Sequence, residues 1–350
     1  MLHEEDEDIS TESSAANQDE ADELYEHFKL LVDKGQSQVR IDKFLFDRLA
    51  HTSRNRIQTA AKAGSILVNT KSVKSNYKVK PLDEISIVLP YPVREFELIA
   101  EDIPLTILYE DDYLMVVNKQ AGLVVHPGHG NYTGTLVNGL VYHFANLPKN
   151  KSNENHRPGL VHRLDKNTSG VMVIAKTEEA LTLLARQFFD RTTERTYNAL
   201  VWGNVMNEKG TITGHVGRSI RDRKMFMVYE DGSLGKHAVT HYEVIKRYKY
   251  VTLVKCKLET GRTHQIRVHL KHIGHTLFND IDYGGDAILK GTNTANYKSL
   301  IEKCFSLIPG QALHAKSLGF EHPHTKQWMQ FDSELPDGFK EILEKMETVG

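Results

Sequence analysis

The stretch HRLDKNTSG, residues 162–170, places one carboxylate, Asp165, after a histidine and an arginine and ahead of small residues. The apolar run Val171–Ala175 follows, which predicts a short charged loop that enters a buried strand. Loops held by a rigid scaffold often carry reacting groups, so Asp165 is a candidate catalytic carboxylate. No second carboxylate lies beside it in the stretch, whereas ordinary glycosidases use two.

Arg267 is the cation that could accompany this carboxylate. A helix is predicted over Thr263–Ile273. Its apolar stripe consists of Ile266, Leu270 and Ile273. Arg267 lies beside that stripe and would be partly buried, so it would need an anionic partner such as Asp165. A buried Asp–Arg pair is often structural, and spacing alone leaves both a structural and a catalytic role open.

Three other kinds of site are weighed against this pair. Four histidines lie in THQIRVHLKHIGH (263–275), but they are spread around one helix and show no zinc-binding spacing, so no metal is predicted. Ser169 has the flanks T-S-G rather than G-x-S-x-G, which argues against a hydrolase. We expect its hydroxyl to bond the backbone at a tight strand entry. Phosphate-binding glycine loops are absent from the sequence, so no nucleotide cofactor is predicted.

The chain that must position these groups has the composition of a water-soluble globular protein, with 40% hydrophobic and 26% charged residues. No apolar run approaches the roughly 18 residues of a membrane helix, and no export signal is visible. The two cysteines form neither a disulfide framework nor a ligand pair, so a reducing, cytoplasmic setting is predicted.

Charge is unevenly distributed along the chain. Residues 1–35 hold 12 acidic and 2 basic side chains, which leaves 34 acidic and 42 basic ones in the remainder. We expect residues 1–22 to form an acidic disordered tail and residues 23–37 a short helical lead-in, with Leu24, Phe28 and Leu31 at helical spacing. The net positive charge of residues 36–350 favours a polyanionic partner.

Residues 38–89 are predicted to form a small α/β unit of two helices followed by short strands, with Ile41, Leu45 and Leu49 on one helix face. The second helix is predicted over Arg54–Ala63, capped by Ser53 and ended by Gly64. The pattern R-I-D-K-F-L … S-R-N-R-I-Q-T-A-A-K-A-G-S-I-L-V-N resembles the S4 RNA-binding domain. This resemblance implies contacts with RNA phosphates from Arg40, Lys43, Arg54, Arg56, Lys62 and Asn69.

A linker over residues 90–97 leads to a larger unit, residues 98–345, in which strands and helices alternate irregularly. Such a pattern predicts an α+β fold rather than a doubly wound sheet. A helix over Thr177–Phe189 is predicted, with Thr177 as its cap and Leu181, Leu184 and Phe188 as its stripe. The predicted strands are Leu114–Asn118, Gly170–Ala175, Tyr197–Trp202, His241–Ile245 and Val251–Leu258.

The segment RPGLVHRLDKNTSGVMVIAKT (157–177) looks like the defining segment of the RluA-type family of RNA pseudouridine synthases. Four further stretches resemble that family in the same order. They are GLVVHPGHGNYTGTLVNGLVYH (122–143), RTYNALVWG (195–203), LETGRTHQIRVHLKHIGH (258–275) and QALHAKSLGFEHPHTKQWMQF (311–331). The sequence departs from the family pattern at Asn279, where glycine is usual, and at HPHTKQ in place of H-P-x-T-G-E. We expect both departures to affect local loops or specificity.

The resemblance implies a catalytic domain with a mixed, largely antiparallel sheet flanked by helices. It also implies isomerisation of uridine to pseudouridine without a cofactor. Asp165 would be the catalytic aspartate, Arg267 its partner and Tyr197 a residue against the target base that accepts a proton. The residues implied in RNA binding are Arg163, which would enter the base stack, His162, and Arg221, Arg223 and Lys224 in the loop GRSIRDRKMFMV (217–228).

The expected partner is RNA, with large-subunit (23S) ribosomal RNA favoured by the S4-like unit and transfer RNA as a second candidate. We expect a monomer with no membrane partner. The alternative from another class is a catalytically silent RNA-binding protein that keeps the fold for ribosome assembly. Whether Asp165 attacks the sugar or the base, or acts through a glycal-type intermediate, is left open by the sequence.

Overall fold

The computed structural model describes residues 25–49, 54–89, 98–128, 130–144, 159–222 and 225–349. These residues divide into two compact units, one before and one after the boundary between Glu97 and Leu98. None of the helices in these ranges is long and apolar enough to cross a bilayer. The acidic tail, the cap residue Ser53 and the linker over 90–97 lie outside the described residues.

The small unit packs two helices against a four-stranded antiparallel sheet. Its helices are α1 (Ile41–Phe46) and α2 (Arg54–Lys62). Its strands, β1 (Tyr25–Leu31), β2 (Ile66–Val68), β3 (Lys71–Ser72) and β4 (Glu84–Leu89), lie in the order β1-β4-β2-β3. Ile41, Leu45 and Ile57 are buried in its core, as the helical spacing predicted for the first two. Gly64 ends the turn after α2 at a φ of +79°, a conformation that glycine adopts without strain.

The prediction of a helical lead-in over 23–37 is wrong, because Tyr25–Leu31 is strand β1. It pairs antiparallel with β4, which sets Phe28 opposite Ile87 and Leu30 opposite Ile85. Phe28 and Leu30 pack against the core while Leu31 is 60% exposed, so the burial alternates with a period of two. Pairing with a distant strand decided the conformation over local spacing. The small unit therefore begins before residue 38.

The large unit is built on a ten-stranded mixed sheet. Its path is β10-β9-β11-β12-β8-β13-β7-β6-β5, with β14 beside β13. Only β7 and β13 pair in parallel among the described strands, so the predicted mixed, largely antiparallel sheet is confirmed. The strands are β5 (Thr106–Glu110), β6 (Leu114–Lys119), β7 (Ser169–Ala175), β8 (Glu194–Trp202), β9 (Lys209–Arg218), β10 (Phe226–Tyr229), β11 (Lys236–Arg247), β12 (Val251–Leu258), β13 (Leu313–Glu321) and β14 (Trp328–Asp332).

Helices cover this sheet and bury its central strands on both faces. Every residue of β7 is buried, with Val171 and Val173 in a different core cluster from Met172 and Ile174. Such burial requires a continuous apolar run, which is why this strand was visible in the sequence. The helices are α3 (Leu136–His143), α4 (Glu178–Asp190), α5 (Gln265–His272), α6 (Ala295–Ser306) and α7 (Asp337–Glu347). The last of them runs past residue 345, the predicted end of the unit.

Helix α4 follows the prediction closely. The Thr177 hydroxyl accepts a hydrogen bond from the backbone N–H of Ala180 and caps the helix. Leu181 and Leu184 are buried. Helix α5 begins at Gln265, two residues after the predicted start at Thr263, and Ile273 lies beyond its end and is 37% exposed.

Both departures from the family pattern occur where the backbone is left-handed. Asn279 has a φ of +59° and Lys326 a φ of +60°. Glycine adopts this region without a steric penalty, and asparagine tolerates it better than most residues. The Asn279 amide donates hydrogen bonds to the carbonyls of Phe305 and Ile308, which fix the residue in place. The two substitutions therefore keep the local turns.

Candidate active site

The three predicted catalytic residues line one cavity of about 460 Å³ in the large unit. Asp165 comes from the loop before β7, Tyr197 from β8 and Arg267 from α5. Residues 102 positions apart in the chain are thus brought to one place, with 3.4 Å between the Arg267 Nη1 and the Asp165 Oδ2 atoms. The pair predicted from the sequence exists in the structure.

The Asp165 loop is fixed by hydrogen bonds on both sides. The backbone N–H of Thr168 donates to the Asp165 carbonyl, which closes a tight turn. The Gln311 amide donates to the Thr168 hydroxyl at 3.2 Å. The Asp165 side chain keeps 20% of its surface exposed, so it faces the cavity from a rigid support.

Lys119 is a support of this loop that the sequence did not indicate. It is only 2% exposed, and its ammonium donates to the carbonyls of Gln120, Leu123 and Lys166. Burial lowers the pKa of Lys119 to about 7, and the negative charge of Asp165 acts in the opposite direction. The lysine therefore ties two loops together beside the candidate catalytic carboxylate.

Arg267 is held mainly by two carboxylates other than Asp165. Its Nε and Nη2 atoms donate to the two oxygens of Asp280 at 2.8 and 2.6 Å, and Nη2 also donates to Asp282 at 2.6 Å. The guanidinium lies 4.8 Å from the centre of the Tyr283 ring. Burial alone would lower the pKa of Arg267, but Asp280, Asp165 and Asp282 together raise it, so the charge is permanent.

Sequence reasoning missed Asp280 and Asp282. Asp280 precedes a short 3-10 helix, Ile281–Tyr283, and Asp282 lies within it. Asp280 is fully buried and forms a two-pronged pair with the arginine, the geometry that suits a guanidinium. A D-I-D turn 13 residues after an arginine beside an apolar helix stripe was the available signal.

The Tyr197 ring faces the cavity from β8 and packs partly against the core. Burial raises the pKa of its phenol, Arg195 opposes the shift, and Asp165 adds to it. The hydroxyl is therefore neutral near pH 7. A neutral phenol beside a carboxylate can stack on a base and exchange a proton once a stronger base is formed.

His264, one of the four histidines weighed as metal ligands, also lines the cavity. It has a left-handed backbone, with a φ of +56°, at the start of α5. Its Nδ1 atom is 2.8 Å from the Tyr283 hydroxyl, and its Nε2 atom is 4.0 Å from Asp165 Oδ1. Burial lowers the pKa of the ring and Asp165 opposes this shift. Its strained backbone is retained at the centre of the site.

Arg163 and His162 have different environments. Arg163 is exposed and lines the cavity, where it can reach RNA. The His162 ring stacks on Phe188 at 4.6 Å, and its Nε2 atom accepts a hydrogen bond from the Val173 N–H. Burial and the nearby Arg195 lower the pKa of His162 to about 3, so the ring is neutral. These contacts hold the His162 ring in place at the cavity wall, and its predicted RNA contact stays a prediction.

The basic loop of the large unit connects β9 and β10. Arg221 is exposed in this loop, where it is free to approach RNA. Arg223 and Lys224 lie outside the described residues.

Two of the predicted RNA-binding arginines in the small unit share one buried carboxylate. Arg40 and Arg54 both donate to Asp42, each at 3.0 Å from Oδ2, and Gln58 donates to the same oxygen. Burial would raise the pKa of Asp42, but these hydrogen bonds hold it well below its usual range. Both arginines remain about half exposed, so their other N–H groups can reach phosphate.

The remaining predicted contacts of the small unit separate into two groups. Lys43 and Lys62 are exposed. The Asn69 amide is engaged within the protein, because it donates to Asp83 and accepts from the backbone N–H of Glu84. These bonds fix Asn69 in a turn, but the residue is exposed and its predicted RNA contact stays a prediction. The side chain of Arg56 lies outside the described residues.

The serine considered for hydrolysis is part of the interior. The Ser169 hydroxyl lies 2.9 Å from Nδ1 of His314, and both residues are buried. The expected bond to the backbone is therefore wrong. Within the described ranges, His, Cys, Asp and Glu residues form no group of three that could hold a metal ion.

Comparison with known proteins places these observations in a family. Residues 113–272 match the family model described as RNA pseudouridylate synthase, and residues 39–85 match the S4 domain model. An uncharacterized RNA pseudouridine synthase of Chlorobaculum parvum is 45% identical over 91% of this chain and 97% of its own length. A protein of Zymomonas mobilis named ribosomal large subunit pseudouridine synthase D is 40% identical over 88% of this chain and 93% of its own.

A solved structure agrees with the fold. Human RNA Pseudouridylate Synthase Domain Containing 4 is 25% identical to this chain, with a TM-score of 0.52. The match covers 69% of this chain and 92% of the human one.

Proposed function

This chain belongs to the RNA pseudouridine synthase family, and from that premise we propose that it isomerises specific uridines of large-subunit (23S) ribosomal RNA with Asp165 as its catalytic carboxylate and no cofactor. The enzyme class and the RNA substrate follow from the family. The single observation that carries the proposed mechanism is the cavity in which Asp165, Arg267 and Tyr197 meet.

The reaction explains why one carboxylate is enough. Pseudouridine forms when the C1′–N1 bond of uridine breaks, the base turns and C5 bonds to C1′. No atom of another molecule enters or leaves, so no cofactor is needed. Breaking the glycosidic bond develops positive charge on the sugar, which a carboxylate can stabilise or trap. A second carboxylate that activates water would only promote hydrolysis.

Arg267 and its acids would hold and aim Asp165. The guanidinium is fixed by Asp280 and Asp282, and its Nη1 group donates to Asp165 at 3.4 Å. A guanidinium held by fixed acids keeps one position, so the carboxylate that it contacts is oriented toward the substrate. Attack on the sugar and attack on the base both require this orientation.

Tyr197 and Arg163 would handle the flipped nucleotide. A uridine must leave its stack to reach a cavity of this kind, at a cost of a few kcal/mol. The exposed Arg163 guanidinium can replace part of the lost stacking. Tyr197 would lie against the base, as its ring faces the cavity that holds Asp165. Its neutral hydroxyl would relay the proton released from C5, accepting it while giving its own hydroxyl proton to N1, so that no proton is gained or lost.

Ribosomal RNA is favoured over transfer RNA by the relatives. Proteins of Zymomonas mobilis and Nitrosomonas europaea named ribosomal large subunit pseudouridine synthase D are 40% and 38% identical to this chain over most of its length. The S4 domain adds exposed lysines that suit a structured RNA. We propose that the enzyme acts on this RNA in the cytoplasm and as a monomer.

Mapping pseudouridine in cells tests the proposal. Ribosomal and transfer RNA from a deletion strain would be tagged chemically at pseudouridine and analysed by mass. We expect one or more 23S positions to lose the tag and to regain it with the wild-type gene, but not with Asp165→Asn.

Asp190→Asn is the matched control, because Asp190 is a surface residue of α4 that pairs with Arg186. It should restore the tag fully. Restoration by Asp165→Asn would overturn the catalytic assignment and support the silent RNA-binding alternative. Loss of the tag in transfer RNA alone would overturn the ribosomal target.

A further inference from the structure

Arg195 is a second buried arginine in the active-site cavity, and its charge is uncompensated. It is 8% exposed and lines the same cavity as Asp165. Its Nε atom is buried without a hydrogen-bond partner, and no carboxylate among the described residues forms an ion pair with its guanidinium. Burying a charge without a partner costs free energy, so folded proteins rarely keep a buried unpaired charge unless a ligand neutralises it.

The surroundings of Arg195 concentrate positive charge. Arg191, at the end of α4, is close enough to lower the pKa of Arg195 further after burial has lowered it. Arg262 also lines the cavity, and its side chain donates to the carbonyl of His237. Glu259 is the acid of this wall, but its carboxylate contacts His241 at 2.7 Å and not an arginine. The wall therefore presents three arginines to the cavity, and no carboxylate among its described residues pairs with them.

The position of Arg195 relates this charge to the target nucleotide. Arg195 and Tyr197 are two residues apart on β8, so both side chains leave the same face of the sheet. Gly261 lies over the guanidinium, where even a Cβ atom would come within 2.9 Å of Nη1. The absence of a side chain at 261 lets this loop pack closely against the guanidinium at the cavity wall.

We propose that Arg195, with Arg191 and Arg262, forms a phosphate-binding subsite that takes one phosphodiester of the RNA strand at or beside the target uridine. A guanidinium matches the geometry of a phosphate and binds it through two parallel hydrogen bonds. The bound phosphate neutralises the buried charge and holds the flipped nucleotide over Tyr197. This inference rests on the proposed function, because it takes the RNA strand to enter the Asp165 cavity.

The cation–π contact of Arg195 with Phe188 is the structural alternative. The guanidinium lies 5.5 Å from the centre of that ring. If this contact were the purpose of Arg195, Arg195→Gln would lower the melting temperature and affect all RNA ligands alike. A charge kept for a ligand predicts the opposite, because its removal relieves an unpaired buried charge in the free protein.

A scan of neutral linkages tests the subsite. The probe is a hairpin around the uridine that this enzyme modifies, in whichever RNA it is mapped, with one methylphosphonate replacing each loop phosphate in turn. In the wild type we expect one linkage to weaken binding by about ten- to a hundredfold, as for a lost hydrogen bond to a charged group. With Arg195→Gln, neutralising that linkage should cause no further loss of RNA affinity.

Matched variants make the result decisive. Arg186→Gln removes the same charge from the exposed surface of α4 and should keep the wild-type pattern. Arg191→Gln alters an exposed residue, so it tests the subsite without a folding risk and should reduce the penalty at the same linkage. A wild-type pattern in both Arg195→Gln and Arg191→Gln would overturn the subsite. If Arg195→Gln and Arg191→Gln both change the pattern but Asp165→Asn remains active, the subsite is supported and the proposed mechanism is overturned.

Discussion

Arg267 and Arg195 are two buried arginines that line one cavity but differ in their carboxylate partners. Arg267 is 3% exposed and donates to Asp280, Asp282 and Asp165. Arg195 is 8% exposed and has no carboxylate partner within the described chain. The charge of Arg267 is therefore neutralised in the free protein, whereas the charge of Arg195 is neutralised only when a ligand binds.

This difference distinguishes a buried arginine that supports the site from a buried arginine that recognises a ligand. Both are buried, but only the first is paired with acids. A guanidinium saturated by fixed acids has a set position and can orient a neighbour such as Asp165. A guanidinium without acids remains available to a phosphate that arrives with the substrate. The small unit combines both cases around Asp42, where Arg40 and Arg54 neutralise a buried carboxylate and still expose half of their surface.

Arg267→Met should have the largest effect, because it leaves Asp280 buried without a cation. We expect the free energy of unfolding to fall by about 3–5 kcal/mol and isomerisation to be lost. Denaturant unfolding and single-turnover assays would measure the two effects. Asp282→Asn is the control, since Asp282 is 55% exposed and its loss should cost less than about 1 kcal/mol.

A double variant sharpens the same prediction. Replacing both partners, as Arg267→Met with Asp280→Leu, should recover much of the stability because no buried charge is left unpaired. Activity should not return, because Asp165 still lacks its guanidinium. A stable and active double variant would contradict the positioning role of Arg267.

Tyr197→Phe keeps the ring against the base and removes the hydroxyl alone. If that hydroxyl moves a proton during rearrangement, the rate should fall by roughly 10²–10⁴-fold. RNA affinity should persist, because phosphate contacts and stacking remain. Single-turnover kinetics on a short RNA with the target uridine would measure the rate, and a value near that of the wild type would reduce Tyr197 to a stacking platform.

Asp42→Asn should destabilise the small unit and change its response to acid. The loss of a charged acceptor for Arg40, Arg54 and Gln58 should cost about 1–3 kcal/mol. The pKa of Asp42 is depressed in the folded protein, so its contribution is present above the unfolded pKa near 3.8 and is lost as the pH falls through the folded value. Urea unfolding between pH 7 and pH 2 should therefore show less loss of stability in the variant than in the wild type.

The sequence predicted the helices and strands that local patterns determine. The ends of β12, the capped helix α4 and the continuous apolar strand β7 follow from spacing, caps and apolar runs. Asp165 and Arg267 became candidates because a charged loop and a cation beside an apolar stripe are visible locally, and the family resemblance supplied their proposed roles.

The missed features depend on contacts between distant segments. Strand β1 exists because β4 pairs with it, and a loop some 65 residues later in the chain, around Gly261, packs on Arg195. Asp280 became a partner of Arg267 only when a turn folded back onto α5. The burial that makes His162 neutral also depends on residues distant in sequence, such as Phe188 and Arg195.

The smallest predicted effect concerns the exposed lysines of the small unit. Lys43 and Lys62 are solvent-exposed, so their contacts with RNA would be purely electrostatic. For each phosphate contact removed, the slope of log affinity against log salt should fall by about 0.7–0.9. The double variant Lys43→Gln, Lys62→Gln should therefore flatten the slope by roughly 1.4–1.8 without changing stability. Lys298→Gln with Lys303→Gln on α6 changes net charge equally and should leave the slope as it is. Equal slopes in both double variants would show that the small unit binds RNA by other groups, such as the half-exposed Arg40 and Arg54.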